Sequence, residues 1–146
     1  MEVFELLHIY YTYNDEPFSS LRLLGLFSSK NKIEDAIAFY KTKRGYKDSP
    51  NAFVVRRRKV IGDVNDALIW EAVVYSHTFG YEDCEFTAEL GLFASKDRAE
   101  KALKAYYNDN ELFFNNNPKL EIEKCVNWYK IDERYCIEGF VVEPIS

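Results

Sequence analysis

The pattern of hydrophobic and polar positions begins with residues 3–13, which are rich in β-branched and aromatic side chains and predict a first strand. The cluster Asn-Asp-Glu-Pro at residues 14–17 is typical of a turn. A second strand is predicted at about residues 20–27, and another at about 52–61. The pattern therefore predicts the order strand, strand, helix, strand.

The helical stretch has its own start and stop signals. Ser29 is a suitable N-cap, because its hydroxyl can accept a hydrogen bond from a free amide of the first turn, and Ser95 occupies the matching place later. Gly45 suits the end of a helix. Apolar residues at helical spacing fill the interval: Ile33, Ala36, Ile37 and Tyr40.

The chain repeats itself. Residues 23–37 read LLGLFSSKNKIEDAI, and residues 89–103 read ELGLFASKDRAEKAL, which match position by position. The match needs no gap from residue 3 to about residue 42, and residues 137–141 repeat the opening of the unit once more. Each ββαβ unit alone buries little apolar surface, so we expect the two copies to fold together.

The prediction is an α+β fold in one domain, residues 1–146, with a mainly antiparallel sheet and two helices packed on it. Its parts are two ββαβ repeats, 3–66 and 69–132, related by a pseudo-two-fold axis, and a closing strand at 136–143. Two separable small domains are the alternative.

Gly25 and Gly91 interrupt strands at the same place in both copies. A glycine inside a strand usually marks a bulge or the close approach of a neighbour. We expect the helix of each copy to pack over this point, in preference to a contact with a ligand.

The net charge of −5 is unevenly distributed. Residues 1–66 carry 11 Lys and Arg against 9 Asp and Glu, whereas residues 67–146 carry 8 against 15. A strongly acidic half argues against nucleic acid as the main partner, because phosphate binding needs positive surface. No membrane-spanning or export segment is visible, and the sparse cysteines fit a reducing compartment, so we expect a cytoplasmic protein.

Candidates for chemistry are few. The chain has no phosphate-binding loop, nucleophile elbow or HExxH sequence, which favours a protein that is not an enzyme and needs no cofactor. His8 and His77 fall in strands without a motif around them, and the cysteines lack the close spacing of a structural zinc site. Cys84 shares strand parity with residues 86, 88, 90 and 92, which predicts a place in the core.

Two sets of charged residues lie on predicted strands. Glu5, Glu71 and Glu138 recur at the same place in each start of the unit, and we interpret them as structural acceptors. The run Arg56-Arg57-Arg58-Lys59 lies on a strand, where alternation sends Arg56 and Arg58 to one face and the other two to the opposite face.

The sequence resembles a family of small, uncharacterised bacterial proteins. That family combines a GVFSS stretch before an Ala-rich helix, a GFxDxPxGF loop and a final WxEGF. The residues carrying the resemblance are Gly25 to Ile37, Gly45 to Phe53 and Ile137 to Phe140. A looser similarity is to the sporulation-related repeat, in which a strand ends in FSS before an amphipathic helix. Neither resemblance implies an activity.

Together these features favour a non-catalytic protein-interaction module of the immunity or inhibitor type, which binds a basic protein partner by charge complementarity. The predicted binding residues are Tyr81, Glu82, Asp83, Glu85 and Glu89. One alternative is a nucleic-acid-associated regulator that uses Arg56, Arg57, Arg58 and Lys59. Another is a small-molecule sensor with a site between the repeats. The oligomeric state stays open.

Overall fold

The computed structural model describes residues 1–13, 17–78 and 84–137 of the chain. Over these ranges the fold is α+β, with six strands and three helices, which confirms the predicted class. The elements follow one another as β1 (Glu2–Tyr13), β2 (Pro17–Phe27), α1 (Lys30–Tyr40), β3 (Phe53–Ile61), β4 (Leu68–Thr78), β5 (Cys84–Phe93), α2 (Lys96–Asp109), α3 (Glu111–Asn115) and β6 (Leu120–Lys130).

The chain forms two compact units, and their boundaries differ from those of the two predicted repeats. The first unit contains Glu2–Arg58 and Ile131–Ser146, and the second contains Met1 and Lys59–Lys130. The border therefore falls inside β3 and directly after β6. The order strand, strand, helix, strand occurs twice along the chain. The internal repeat, its pseudo-two-fold axis and the single domain stay predictions.

Strand pairing within each unit is mainly antiparallel. In the first unit β1 pairs with β2 from Phe4–Phe27 to Tyr13–Pro17. In the second unit β4 pairs on one side with β5 and on the other with β6, both antiparallel. The last two residues of β3 pair in parallel with Leu92 and Phe93 of β5. Long antiparallel pairs of this kind let one face of the hairpin carry a continuous apolar surface.

A helix covers one face of each hairpin. The Ser29 hydroxyl accepts a hydrogen bond from the Lys32 amide at 3.2 Å, and the Ser95 hydroxyl accepts one from the Arg98 amide at 3.3 Å, so both predicted N-caps are confirmed. The core of the first unit joins α1 to the hairpin through Leu6, Leu24, Phe27, Ile33, Ala36, Tyr40 and Tyr46. The core of the second unit joins α2 to its strands through Ala72, Val74, Phe93, Ala99 and Leu103.

Gly25 and Gly91 both lie beside β-bulges, where the register of the hairpin shifts. The atoms nearest to a Cβ at either position belong to other segments and not to the helices, and the expectation that a helix packs over this point stays a prediction. A Cβ on Gly25 would lie 2.6 Å from the carbonyl oxygen of Glu133, and Gly91 adopts a φ of +138° beside the Phe93 ring. The strand glycine thus admits a neighbouring backbone in one unit and an unusual conformation in the other.

The neighbour of Gly25 belongs to residues 131–137, which we call the C-terminal clasp. Its backbone follows β2: the Asp132 amide donates to the Leu26 carbonyl and the Tyr135 amide to the Leu24 carbonyl, both at 2.8 Å. The closing strand predicted at 136–143 lies mostly outside the described residues. The attachment to the first unit begins several residues earlier than that prediction.

Side chains hold the clasp at both ends. The Asp132 carboxylate accepts hydrogen bonds from the Ser28 amide at 2.9 Å and from the Ser28 hydroxyl and the Lys32 ammonium at 2.8 Å. The Tyr40 hydroxyl donates to the Tyr135 carbonyl at 2.5 Å, and the Tyr46 hydroxyl donates to the Cys136 carbonyl. Both tyrosines are completely buried, and burial raises the pKa of each, so both remain donors at neutral pH.

Replacing Gly25 by alanine should destabilise the protein by about 1–3 kcal/mol, because the added methyl group meets a backbone carbonyl that cannot rotate away. Chemical denaturation followed by circular dichroism measures the change. The exposed Ala105→Ser substitution on α2 serves as a surface control and should change stability by less than about 0.5 kcal/mol. A Gly25→Ala protein as stable as that control would contradict the close approach of the clasp.

Asp132→Asn should lower stability at neutral pH by about 1–2 kcal/mol, since it removes a charge-assisted acceptor while asparagine still tolerates the φ of 65°. Burial raises the pKa of Asp132, but the hydrogen bonds from Lys32 and Ser28 outweigh it and hold the pKa below 3.8. The stabilisation is therefore fully present above the unfolded pKa and is lost as pH falls through the folded one.

The measurement compares denaturant midpoints of wild type and Asp132→Asn between pH 7 and pH 2.5. The difference should shrink as the pH drops. A difference in denaturant midpoint that stays constant over this pH range would show that the ionised carboxylate of Asp132 does not stabilise the clasp.

Candidate protein-binding surface

The net charge of the protein resides in one unit. Met1 and residues 59–130 contain 8 Lys and Arg against 13 Asp and Glu, a net charge of −5. The remainder, residues 2–58 and 131–146, contains 11 of each sign and is neutral. The second unit therefore carries the whole acidic character of the chain.

Three exposed glutamates of the second unit lie on β5 and β6, the two strands that flank β4. Directly paired residues share a face of a sheet, with Cβ atoms about 5 Å apart. Val73 in the middle strand β4 pairs with Glu89 on one side and with Cys125 on the other, and Tyr75 pairs with Glu123. Glu121 follows two residues before Glu123 on the same face of β6.

The glutamates face away from helix α2. Ala72 and Val74, which alternate with Val73 along β4, pack in the cluster that contains Ala99 and Leu103 of α2. Val73 itself is buried on the opposite face, so the residues paired with it also point away from the helix. We call Glu89, Glu121 and Glu123 the acidic face.

Burial and the neighbouring Glu123 of the acidic face raise the pKa of the Cys125 thiol. The Cys125 Sγ lies 3.7 Å from a carboxylate oxygen of Glu123. Burial raises the pKa of Cys125, and the negative charge of Glu123 and the hydrogen bond to it raise that pKa further. Cys125 is therefore protonated and weakly nucleophilic at neutral pH.

The acidic face overlaps the predicted binding residues only in part. Glu89 is exposed on β5, as a binding residue requires. Glu85 lies on β5, but its side chain is outside what the structure describes, and Tyr81, Glu82 and Asp83 fall outside the described residues altogether. Glu121 and Glu123 did not enter the predicted site. Their signal in the sequence is the alternation Leu-Glu-Ile-Glu at residues 120–123, which is typical of a strand with one polar face.

The basic run on β3 is engaged by carboxylates of β1. Arg56 and Arg58 both donate to Glu5, with nitrogen–oxygen distances of 2.7 and 2.8 Å, and Arg57 pairs with Glu2. Glu5 is 2% exposed, so two arginines compensate one buried charge. This arrangement confirms that Arg56 and Arg58 share a face. Lys59 is exposed.

The recurring glutamates occupy buried places where the structure describes them. Glu5 accepts from arginines of β3, which identifies its partner in the first unit. Glu71 is also buried, on β4 opposite Leu92 and Asn127. Glu138 lies outside the described residues.

His8 lies in the core of the first unit and is held there by a backbone contact and two aromatic rings. His8 is buried, its Nε2 lies 3.3 Å from the Ser49 carbonyl oxygen, and the rings of Tyr46 and Phe53 contact it edge-on. Burial lowers the pKa of His8 and nearby Arg22 acts in the same direction, against the effect of the Ser49 hydrogen bond. The imidazole is therefore neutral at pH 7. The side chain of His77 is outside what the structure describes.

The register of β5 corrects the expectation for Cys84. Phe86 pairs with Ser76, whereas Cys84 pairs with the next residue, His77, so a register shift separates the two. A second shift beside Gly91 separates Leu90, which packs with the α2 cluster, from Leu92, which pairs with Glu71. Parity alone therefore does not place Cys84 with Leu90 and Leu92.

Among residues 1–13, 17–78 and 84–137, no three His, Cys, Asp or Glu side chains are grouped so as to hold a metal ion. In the same part of the chain, no helix has the length and apolar character needed to cross a membrane. Comparison of the chain with known protein families, with curated proteins and with solved structures found no match. The resemblance to the GVFSS family and to the sporulation-related repeat stays a prediction.

Replacing Glu123 by glutamine should increase the alkylation rate of Cys125 by about two- to fivefold at pH 8, because a neutral neighbour lowers the thiol pKa and enlarges the thiolate fraction. Mass spectrometry of peptides after brief treatment with N-ethylmaleimide gives the rate for each cysteine. Cys136, which is exposed and belongs to the first unit, serves as the internal control. An unchanged Cys125 rate would show that Glu123 does not set the local potential.

Proposed function

We propose that this protein is a non-catalytic module that binds a basic protein through the acidic face of its second unit. The observation that carries the proposal is the concentration of the entire net charge of −5 in that unit, with Glu89, Glu121 and Glu123 exposed on the two strands that flank β4. An immunity or inhibitor role, in which such a module blocks a basic toxin or nuclease, is the biological form we favour. This role rests on analogy of size and charge.

Clustering makes these carboxylates effective together. At physiological ionic strength, charges interact over about 8 Å. Glu121 and Glu123, two residues apart on one strand, lie about 7 Å from each other, and Glu89 lies two strand spacings, about 10 Å, across the sheet. A basic partner therefore meets one extended negative potential, which accelerates encounter and orients the partner. The rigid three-strand support fixes the glutamates relative to one another, and this reduces the entropy lost on binding.

A non-catalytic role agrees with the contacts of the described acid–base groups. Glu5 is held by Arg56 and Arg58, and His8 lies against the Ser49 carbonyl and two aromatic rings. These contacts occupy both groups in maintaining the first unit. A general acid or base must instead be able to exchange a proton with a substrate.

The nucleic-acid alternative would require a change in existing contacts. Arg56, Arg57 and Arg58 would have to exchange Glu5 or Glu2 for phosphate, and leaving Glu5 buried without a cation is costly. Binding through Lys59 alone supplies one charge. This alternative, and that of a small-molecule sensor, stay predictions of the sequence.

The experiment compares two triple charge reversals that carry the same net charge. The test variant is Glu89→Lys/Glu121→Lys/Glu123→Lys. The control reverses three exposed acids of the first unit, Glu34→Lys/Asp35→Lys/Asp48→Lys. A partner captured by the wild-type protein and identified by mass spectrometry is then purified, and its affinity for each protein is measured by calorimetry at low and at physiological salt.

We expect a partner of basic isoelectric point, with affinity at least about tenfold lower for the test variant and little changed for the control. Equal affinity for wild type and test variant would overturn the acidic face as the binding surface. Equal losses in both variants would show that net charge alone matters. Circular dichroism verifies that both variants fold.

A further inference from the structure

The attachment of the C-terminal clasp has the features of peptide recognition. The clasp follows the outer side of β2 through two backbone hydrogen bonds, from the amides of Asp132 and Tyr135 to β2 carbonyls. One end presents a carboxylate to Ser28 and Lys32 at the start of α1, and the other end presents two carbonyls to buried tyrosine hydroxyls. Strand addition with a charge-assisted anchor is a recurring way to bind an extended peptide.

None of these contacts requires that the clasp belong to the same molecule. The groups that receive it are the β2 carbonyls, the first turn of α1 and the hydroxyls of Tyr40 and Tyr46, all within residues 2–58. An identical clasp from a second copy of the chain would make the same contacts with the same geometry. Exchange of an identical element between protomers is a low-cost route to a dimer.

The chain that leads into the clasp is short. Strand β6 ends at Lys130 in the second unit, and Asp132, two residues later, is already bound to the first unit. Asp132 adopts the left-handed backbone region with φ of 65°, which aspartate tolerates, and Cys136 adopts it with φ of 52°, which is unfavourable for cysteine. A short connection promotes exchange between chains, because it limits how easily the clasp reaches the first unit of its own molecule.

We propose that the outer edge of β2, with the N-terminal turn of α1 and the hydroxyls of Tyr40 and Tyr46, is a docking site for an extended acidic segment, and that a second copy of this chain can fill it with its own residues 131–137. The chain's own clasp occupies the site in the monomer. Exchange produces a reciprocal dimer in which each first unit is completed by the other molecule. This inference is independent of the acidic face and of the identity of any partner.

The Lys32–Asp132 pair supplies a direct test. Its ammonium and carboxylate are 2.8 Å apart, so a carbodiimide can couple them into an amide without a spacer. Equal amounts of ¹⁴N-labelled and ¹⁵N-labelled full-length protein are mixed, held at pH 3 to weaken the clasp, and returned to pH 7 at high concentration. Monomer and dimer are separated by gel filtration with light scattering, cross-linked and digested.

We expect the dimer fraction to contain Lys32–Asp132 cross-linked peptides of mixed label, amounting to about half of those links for random pairing. The monomer should contain only same-label links. A Lys96–Glu100 link lies within one helix and should have a single label in both fractions, which makes it the internal control. Absence of a dimer, or a dimer whose Lys32–Asp132 links all have a single label, would overturn the proposal.

Two variants alter the connection and leave in place the clasp residues whose hydrogen bonds hold it, Asp132, Tyr135 and Cys136. Deletion of Ile131 shortens the chain between β6 and Asp132 and should raise the dimer fraction at least about fivefold, whereas insertion of Gly-Gly-Ser after Ile131 should lower it. If both variants give the wild-type dimer fraction, the short connection does not drive exchange and the proposal fails.

Discussion

Two tyrosine hydroxyls without access to water impose the central constraint on the first unit. Tyr40 and Tyr46 form part of the core under α1, and a buried hydroxyl without an acceptor would cost about 1–3 kcal/mol. The Tyr40 hydroxyl has two acceptors, the Leu24 carbonyl at 3.1 Å and the Tyr135 carbonyl at 2.5 Å, whereas the Tyr46 hydroxyl donates to the Cys136 carbonyl, 90 residues farther along the chain. The core of the first unit is therefore complete only when residues near the end of the chain lie along β2.

The same requirement explains why Gly25 and Asp132 occur where they do. A backbone can run past β2 at this point only if the strand has no side chain there, and Gly25 provides that space for the Glu133 carbonyl. Asp132 then neutralises the start of α1, which has no acidic residue in its own first turn. In the second unit, Asp97 within α2 supplies the negative charge locally.

Local patterns in the sequence were sufficient to predict the helices and strands, but not to predict which of them pack or pair with one another. The caps at Ser29 and Ser95 and the apolar spacing from Ile33 to Tyr40 depend on nearby residues, so they predict helices correctly.

Strand faces depend on register, and the bulge beside Gly91 reverses the parity that would have grouped Leu90 with Leu92. The Tyr135 acceptor of Tyr40 and the donors to Asp132 lie about a hundred residues away, and no local pattern encodes such distances. The candidate surface was predicted only at Glu89, because the choice of Glu121 and Glu123 required knowing that β6 lies beside β4.

The discontinuous first unit has a consequence for synthesis of the protein. A ribosome releases residues 2–58 long before it reaches the clasp, so the Tyr46 hydroxyl emerges without its Cys136 acceptor, and Tyr40 emerges with only the Leu24 carbonyl of its two acceptors. All of β4, β5, α2 and β6 must be translated in between. Contacts over such separations form slowly, and at about 5–20 residues per second the wait lasts several seconds. During that interval the edge of β2 that later receives the clasp is unpaired, and an unpaired strand edge is a site for wrong association with other chains.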